Sequence, residues 1–288
     1  MRDIPTSPRA LEIKRNRRVR KMRWFVVYLL LIGSLIWGLS LLSKDRHIVI
    51  SNIIVNGTHV INQDDVKNEI NKILSGKYVY LFPKANSFIY PHKKIYNNLL
   101  LSFPRIESLK VDRGNLQTIN VDIKERTGSF LYCGVNIPEN KNDIGENCYF
   151  VNNDGFIFDK APYFSGNVYF KYYMALPDGV VNPLGNQMTT EEEFHKIARF
   201  VDGVESLGFK PIYLFRDVDK TDYLYLDNGT NSTGPKVMFK NDDDLEEVFD
   251  NLSIAMAKKE FADEINSKYN TLLYIDLRFP NKVLYKFQ

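Results

Sequence analysis

One apolar stretch, from Trp24 to Leu42, limits what this 288-residue chain can fold into. Its nineteen positions hold no charged side chain and only three polar ones, Tyr28, Ser34 and Ser40. A helix of this length rises about 28 Å, close to the hydrocarbon thickness of a bilayer. A core helix would need a polar face or partners on all sides, and a cleaved signal peptide has a shorter apolar run. The stretch therefore predicts one retained transmembrane helix, residues 24–42.

The residues before this stretch indicate its orientation. Nine basic and two acidic residues precede it, and basic residues beside a spanning helix stay in the cytoplasm. Residues 1–23 are predicted to be a cytoplasmic tail, disordered because it has few apolar residues, and residues 43–288 to be extracytoplasmic. A basic tail also suits nucleic acid, but beside a spanning helix it more commonly sets topology and attracts anionic lipids. We expect a single-pass type II membrane protein with no nucleic-acid partner.

The segment after the anchor has sequence signals in the order strand, helix, helix, strand, strand. Asn62 is placed to cap a helix with two acids in its first turn, and apolar residues recur in that helix at helical spacing. In a later strand, Ile119, Val121 and Ile123 alternate with polar residues. The predicted elements are a strand at 48–55, helices at 62–74 and 91–102, and strands at 106–113 and 117–126.

From residue 127 onward the sequence reads as a second domain built mostly of strands. Two amphipathic helices interrupt them, at 190–207 and 243–259, each with one apolar face suited to packing against a sheet. Antiparallel strands with helices to one side predict the α+β class. The predicted strands are 130–133, 148–152, 156–159, 168–173, 211–216, 223–227, 236–240, 271–278 and 283–287.

Several sequence segments, taken in order, resemble those of a known protein family. They are NGT, HKKIYNNLL, SFPRIESLKVDR and INVDIKER in the first segment, then FVNNDGFIFD (150–159) and YIDLRFPNKVLYK (274–286). With the preceding anchor, this order resembles the FtsQ/DivIB family of bacterial cell-division proteins. The resemblance implies a POTRA domain at 48–126 and a β-domain at 127–288. The chain departs from the family in a polar insertion at 134–147 and a loop at 228–235, where contacts are not carried over.

The resemblance also implies a function. Members of this family are bitopic scaffolds of the divisome, located in the cell inner membrane at the division septum. The chain is therefore expected to bind FtsB/FtsL-like bitopic partners and, through them, to coordinate the septal peptidoglycan synthases. It is expected to have no catalysis of its own and no cofactor.

The metal-ligand and catalytic patterns of the sequence are weak, in agreement with a non-enzymatic chain. The four histidines, His47, His59, His92 and His195, show no second ligand at a metal spacing such as His-x-x-x-His. Phosphate loops and nucleophile motifs are lacking. Acid clusters at 191–193 and 242–244 suit calcium, but each opens a predicted helix, where acids favour the helix dipole. We predict no catalytic, cofactor-binding or metal residues, and we interpret Asp217 and Asp219 as turn residues.

The chain has two cysteines, Cys133 and Cys148, at the two ends of the polar insertion. Outside the cytoplasm they are able to form a disulfide across the mouth of a hairpin, and closing a loop of about fifteen residues stabilises a fold by about 3 kcal/mol in the chain-entropy model. The alternative is two separate buried thiols, because sequence does not give the distance between them.

The strand at the C-terminus is the predicted partner-binding site. Nothing later in the chain is expected to cover its outer edge, whose backbone donors and acceptors suit an incoming strand. The alternative is that an earlier strand already pairs with that edge. Specificity would come from whichever alternate side chains share a face with the guest strand. The predicted site consists of Lys282, Val283, Leu284, Tyr285, Lys286 and Phe287.

Two rival interpretations fit parts of the sequence. An outer-membrane assembly factor with a POTRA domain would need a long β-barrel, and the chain is too short for one. A signal-anchored enzyme or glycoprotein of unknown substrate is the second rival, because Asn56-Gly57-Thr58, Asn228-Gly229-Thr230 and Asn251-Leu252-Ser253 fit the glycosylation pattern. The chain is rich in asparagine, so chance matches to this pattern are expected.

Overall fold

The computed structural model describes residues 8–137, 147–164, 166–229 and 234–288. The chain divides into two compact units. The first unit contains the residues up to Ser102 and the segment Ser108–Lys124, and the second contains Phe103–Glu107 and Glu125–Gln288. The main division falls between residues 124 and 125, where the sequence pattern had put it between 126 and 127.

The N-terminal helix, α1, runs from Pro8 to Leu42. It is longer than the predicted span because it continues through most of the basic tail. The expectation of a disordered tail is therefore wrong for residues 8–23, and residues 1–7 lie outside the described part. The basic residues Lys and Arg are good helix formers, and the spanning segment supplies a nucleus from which the helix extends backward.

Part of this helix, Arg15–Leu42, is long and apolar enough to cross a membrane, with a mean hydropathy of 2.3 over a window of 18 residues. Only 6% of that window is buried inside the protein, which excludes a core helix. Large apolar side chains such as Trp24 and Trp37 are more than 60% exposed. Exposed apolar area of this extent favours a hydrocarbon environment.

The rest of the first unit has a three-stranded sheet, a small hairpin and two helices. The sheet has the order β1-β5-β4, and β1 runs parallel to β5. The segment after α2 is a two-stranded hairpin that turns at Val79 and Tyr80, both with positive φ. The elements are β1 (Asn52–Asn56), α2 (Gln63–Leu74), β2 (Lys77–Tyr78), β3 (Phe82–Pro83), α3 (His92–Ser102), β4 (Ile106–Arg113) and β5 (Thr118–Glu125).

The apolar periodicity of these elements builds the core of the first unit. Asn62 caps α2, since its side chain accepts a hydrogen bond from the Asp64 N–H at 2.8 Å. Fully buried side chains come from one face each of α2, α3 and β5, as the sequence predicted. These side chains are Val66, Ile70, Ile95, Leu99, Ile119 and Val121.

The second unit is built on a ten-stranded sheet, counted over the described residues. Its order is β10-β8-β7-β6-β9-β11-β12-β13-β14-β15, and most neighbouring pairs are antiparallel, with parallel pairs at β6–β9, β9–β11 and β13–β14. The strands are β6 (Phe130–Tyr132), β7 (Tyr149–Val151), β8 (Phe156–Lys160), β9 (Phe170–Tyr173), β10 (Asn186–Gln187), β11 (Pro211–Arg216), β12 (Thr221–Leu226), β13 (Lys236–Lys240), β14 (Leu272–Phe279) and β15 (Lys282–Phe287).

Three helices pack on this sheet: α4 (Glu191–Ser206), α5 (Leu245–Ala257) and α6 (Lys259–Ser267). The sequence predicted the first two and missed α6. That helix is nine residues long, close to the lower limit of helix lengths that a sequence pattern identifies, and contributes Ile265 as its one buried residue. The helices and sheet enclose one large core that includes Phe194, Phe239 and Ile275. The structure is thus mixed helix and sheet, with a large, mostly sheet domain.

Candidate binding site at the edge strand

Strand β15 forms one end of the ten-stranded sheet. Its one described strand partner is β14, to which it pairs antiparallel in the register Tyr274↔Lys286, Ile275↔Tyr285 and Asp276↔Leu284. The alternative, in which an earlier strand covers the outer edge, is therefore not the arrangement among the described residues. The outer edge of β15 presents backbone groups that have no ladder partner there.

The hairpin that places β15 at the edge follows from local sequence. The register pairs Phe279 with Lys282, which leaves a two-residue connection of Pro280 and Asn281. Proline presets the φ of the first turn residue, and Asn281 has a φ of 56°, which asparagine tolerates better than most residues. The turn residues therefore set the register that brings β15 back along β14.

The structure settles which side chains of β15 lie on each face. Val283 and Phe287 pack against the core, and the Tyr285 ring contacts Phe261 of α6 edge-on at a centroid distance of 5.1 Å. Side chains alternate along a strand, so Leu284 and Lys286 lie on the opposite face. Leu284 is 47% exposed.

A chain of polar contacts fixes the helix side of β15. The Tyr285 hydroxyl donates to a Glu264 carboxylate oxygen at 2.7 Å, and the Lys268 ammonium donates to the other oxygen at 2.9 Å. These hydrogen bonds, first from Lys268 and then from Tyr285, lower the pKa of Glu264. Glu264 in turn raises the pKa of the Tyr285 hydroxyl. The charged carboxylate therefore holds Tyr285 against α6.

A shallow cavity of about 370 Å³ lies beside the edge strand, next to α5 and α6. Its lining contains both apolar and polar side chains. Ile254, one of these lining residues, is 62% exposed although it lies on a helix that otherwise covers the core. A guest side chain reaching over the edge of β15 would find apolar contacts there. The lining residues are Asn251, Ile254, Ala255, Lys258, Phe261, Asn281 and Val283.

An ion pair lies on the opposite face, beside Leu284. Arg278 donates from Nε and Nη2 to the two oxygens of Asp276, at 2.9 and 2.8 Å, and its backbone N–H donates to Oδ1 at 3.1 Å. Burial alone would raise the pKa of Asp276, but these hydrogen bonds outweigh it and lower the pKa below its usual value. Arg278 thus keeps Asp276 ionised, and the ion pair as a whole has no net charge.

The two cysteines are joined in the structure. The Cys133 and Cys148 sulfurs are 2.03 Å apart, directly after β6 and directly before β7, which pair antiparallel. Cys148 belongs to a small buried cluster with Leu131 and Ala161. Residues 138–146, most of the polar insertion, lie outside the described part of the chain, as do residues 230–233 of the second loop.

The acidic residues considered above as possible ligands have structural roles at helix starts and in a turn. Thr190 caps α4, with the acids 191–193 in the first turn, and Asp244 caps α5. Asp217 and Asp219 accept hydrogen bonds from the backbone N–H groups of Val218 and Thr221, as expected of turn residues.

The surroundings of one histidine, His195, differ from the expectation that no histidine has a second potential metal ligand. The His92 Nε2 lies 2.7 Å from the Val111 carbonyl oxygen, a structural contact. The His195 Nε2, by contrast, lies within 4 Å of carboxylate oxygens of Asp154 and Glu191. Glu191 and His195 are four residues apart in one helix, a spacing visible in the sequence. Asp154 comes from a distant hairpin, and sequence does not indicate that approach.

Comparison with known protein families found no matching family, and comparison with curated proteins found no match.

Proposed function

We propose that this protein is a membrane-anchored scaffold that binds a partner by adding the partner's strand to the edge of β15. The free outer edge of that strand, at the end of the ten-stranded sheet, is the observation that carries the proposal. An exposed sheet edge offers main-chain hydrogen bonds to a guest strand, and neighbouring pockets for its side chains give specificity. The work of such a protein is binding, and the proposal gives it no reaction.

The backbone geometry identifies the groups a guest strand would use. The Gln288 N–H donates to the Thr271 carbonyl oxygen at 2.8 Å, so the N–H of residue 288 points toward β14. Backbone groups alternate in direction along an antiparallel strand, and both register shifts of this pair fall in β14. The N–H groups of Val283, Tyr285 and Phe287 therefore point outward, toward the guest.

The surroundings of the edge define the chemistry of the partner. On the helix side, the 370 Å³ cavity with Ile254 and Phe261 favours an apolar side chain of the guest. On the opposite face, Leu284 and the aliphatic part of Lys286 offer a second apolar contact, bordered by the cationic head group. The partner segment is an extended strand with alternating large apolar residues and at least one acidic residue facing Lys286.

We further propose that the protein is an FtsQ/DivIB-type division protein, and that the partner strand comes from an FtsB/FtsL-like bitopic protein. The order β1, α2, α3, β4, β5 after a candidate spanning helix supports a POTRA domain. The basic residues before Trp24 support a cytoplasmic N-terminus and an extracytoplasmic sheet domain. In this proposal the complex assembles at the septum and coordinates the peptidoglycan synthases indirectly.

The test separates the backbone donor from the side chain at one position. The full chain, purified in detergent micelles, is compared with Tyr285→Pro and Tyr285→Ala for binding of the purified FtsB/FtsL-like pair. Both variants lose the contacts of the tyrosine ring, and only the proline variant loses the outward N–H. We expect Tyr285→Pro to weaken binding at least about tenfold relative to Tyr285→Ala, because a proline also obstructs close strand pairing.

Thermal unfolding of the same samples controls for misfolding. Leu284→Pro removes an inward N–H and should lower Tm, whereas Tyr285→Pro and Tyr285→Ala should have similar Tm values. Equal partner affinity of the proline and alanine variants, with both folded, would overturn the edge-strand site. If the wild-type chain fails to bind this pair, a strand peptide of alternating apolar residues tests the edge itself, independently of the partner's identity.

A further inference from the structure

A cluster of three potential metal ligands lies in the second unit, apart from the edge strand in sequence and sheet position. Asp154 sits in the turn between β7 and β8, and Glu191 and His195 lie on the first two turns of α4. One ligand atom of each residue lies within 4.8 Å of the other two. The set contains a nitrogen donor and two carboxylates, contributed by two separate elements.

The distances within the cluster favour a shared ion over mutual hydrogen bonding. The His195 Nε2 lies 3.8 Å from Asp154 Oδ1 and 3.7 Å from Glu191 Oε1, too far for hydrogen bonds. Zinc bonds of about 2.0–2.2 Å in tetrahedral geometry place two ligand atoms about 3.3–3.6 Å apart. Small side-chain rotations would bring all three atoms onto one ion, whose charge would balance the two carboxylates.

The aspartate is already oriented by a second group. The Asn152 side-chain amide donates to Asp154 Oδ2 at 3.0 Å, which leaves Oδ1 directed at His195. Asn152 is itself buried, and its side-chain oxygen Oδ1 accepts from the backbone N–H groups of Asp154 and Phe156. An outer group that fixes one carboxylate oxygen and leaves the other for a metal is typical of metal centres.

The hairpin is also held tightly against the helix. Gly155 has a φ of 79°, and a Cβ at this position would lie 2.8 Å from the Phe194 ring. Phe194 is fully buried and directly precedes His195 in α4. The Gly155 carbonyl accepts from the Met188 N–H at 2.9 Å. The close approach of turn and helix sets the spacing between Asp154 and the two α4 ligands before any ion binds.

We propose that Asp154, Glu191 and His195 bind one Zn²⁺ ion, with solvent completing the coordination. The nitrogen donor disfavours Ca²⁺ and Mg²⁺, which prefer oxygen ligands. The side chains of Asp154, Glu191 and His195 are 50%, 64% and 40% exposed, so the ion has one side open to water or to a further ligand. A bound ion would link the β7–β8 turn to α4.

The test measures Zn²⁺ binding by the full chain in detergent micelles, prepared without a polyhistidine tag, using isothermal titration calorimetry. We expect one ion per chain. His195→Gln and Asp154→Asn should each weaken binding more than about tenfold, since loss of outer groups alone costs that much. His47→Gln removes an exposed histidine elsewhere and is the matched control. Ca²⁺ at the same concentration should give no comparable heat.

A stability measurement gives an independent readout. Zn²⁺ at about a hundred times its Kd should raise Tm by about 5 °C in the wild type and His47→Gln, and leave His195→Gln unchanged. The proposal is overturned if the wild type binds no Zn²⁺ at micromolar concentration. It is also overturned if His195→Gln binds as tightly as the wild type, or if His47→Gln weakens binding as much as His195→Gln does.

Discussion

Arg216 and Asp222 form a paired ionic contact across β11 and β12. The guanidinium donates from Nε and Nη2 to the two carboxylate oxygens, both at 2.8 Å, and the two residues face each other in the strand register. Asp222 is fully buried, and Arg216 reaches a second carboxylate, Glu193 of α4, at 2.5 Å. Burial would lower the pKa of Arg216, but the hydrogen bonds that its guanidinium donates to Asp222 and Glu193 raise it overall.

This contact predicts a large stability effect from a single substitution. Arg216→Leu leaves the buried Asp222 carboxylate without its partner, which should reduce the free energy of unfolding by about 3–5 kcal/mol. Chemical denaturation of the purified chain measures the change. The double variant Arg216→Leu/Asp222→Leu should recover part of the loss, because it removes both charges. A loss below about 1 kcal/mol in the single variant would contradict a structural role for the pair.

The Asp276–Arg278 pair predicts that the stabilising effect of Asp276 depends on pH. The folded protein holds the pKa of Asp276 below its unfolded value near 3.8. The contribution of Asp276 to the stability of the fold is therefore present above about pH 4. It is lost as the pH falls through the lower pKa that Asp276 has in the folded protein. The Tm of Asp276→Asn should lie below that of the wild type at pH 7, and this gap should narrow toward pH 3. A gap of constant size across this range would exclude the charge as its cause.

The disulfide predicts a loss of stability on reduction. We expect mass spectrometry of unreduced peptides from native membranes to show Cys133 linked to Cys148. Replacing both by serine should lower the free energy of unfolding by about 3 kcal/mol, since the residues are 15 apart in sequence. Recovery of both residues as free thiols from native membranes would show that the bridge does not form there.

The basic flank of α1 predicts the topology of the protein in the membrane. Protease added to spheroplasts should digest the sheet domain and leave intact an epitope tag placed before Arg2, because the basic residues retain the N-terminus in the cytoplasm. Lysed spheroplasts, in which the tag becomes accessible, are the control. Loss of the tag from intact spheroplasts would reverse the predicted orientation.

Elements with strong periodicity were predictable from sequence. The apolar positions of α2 and α4, the cap Asn62 and the alternation in β5 are local signals, and the structure has these elements within a few residues of their predicted bounds. Helix α6 and the two-residue strand β10 were missed because both are short, and short elements give weak sequence patterns. The helical tail before Trp24 was also missed, since disorder was inferred from composition and not from helix propensity.

In the two candidate sites, too, some features follow from the local sequence and others from tertiary packing. The sequence by itself determined that residues 283–287 form a strand and that the acids 191–193 open a helix, whereas the four-residue spacing of Glu191 and His195 was not recognised as a ligand pair. Only the tertiary structure decided that β15 lies at the end of the sheet, that Tyr285 faces α6, and that Asp154 approaches His195. The physical reason is range: strand and helix patterns arise between residues a few positions apart, whereas sheet order and side-chain clusters arise from packing between distant segments.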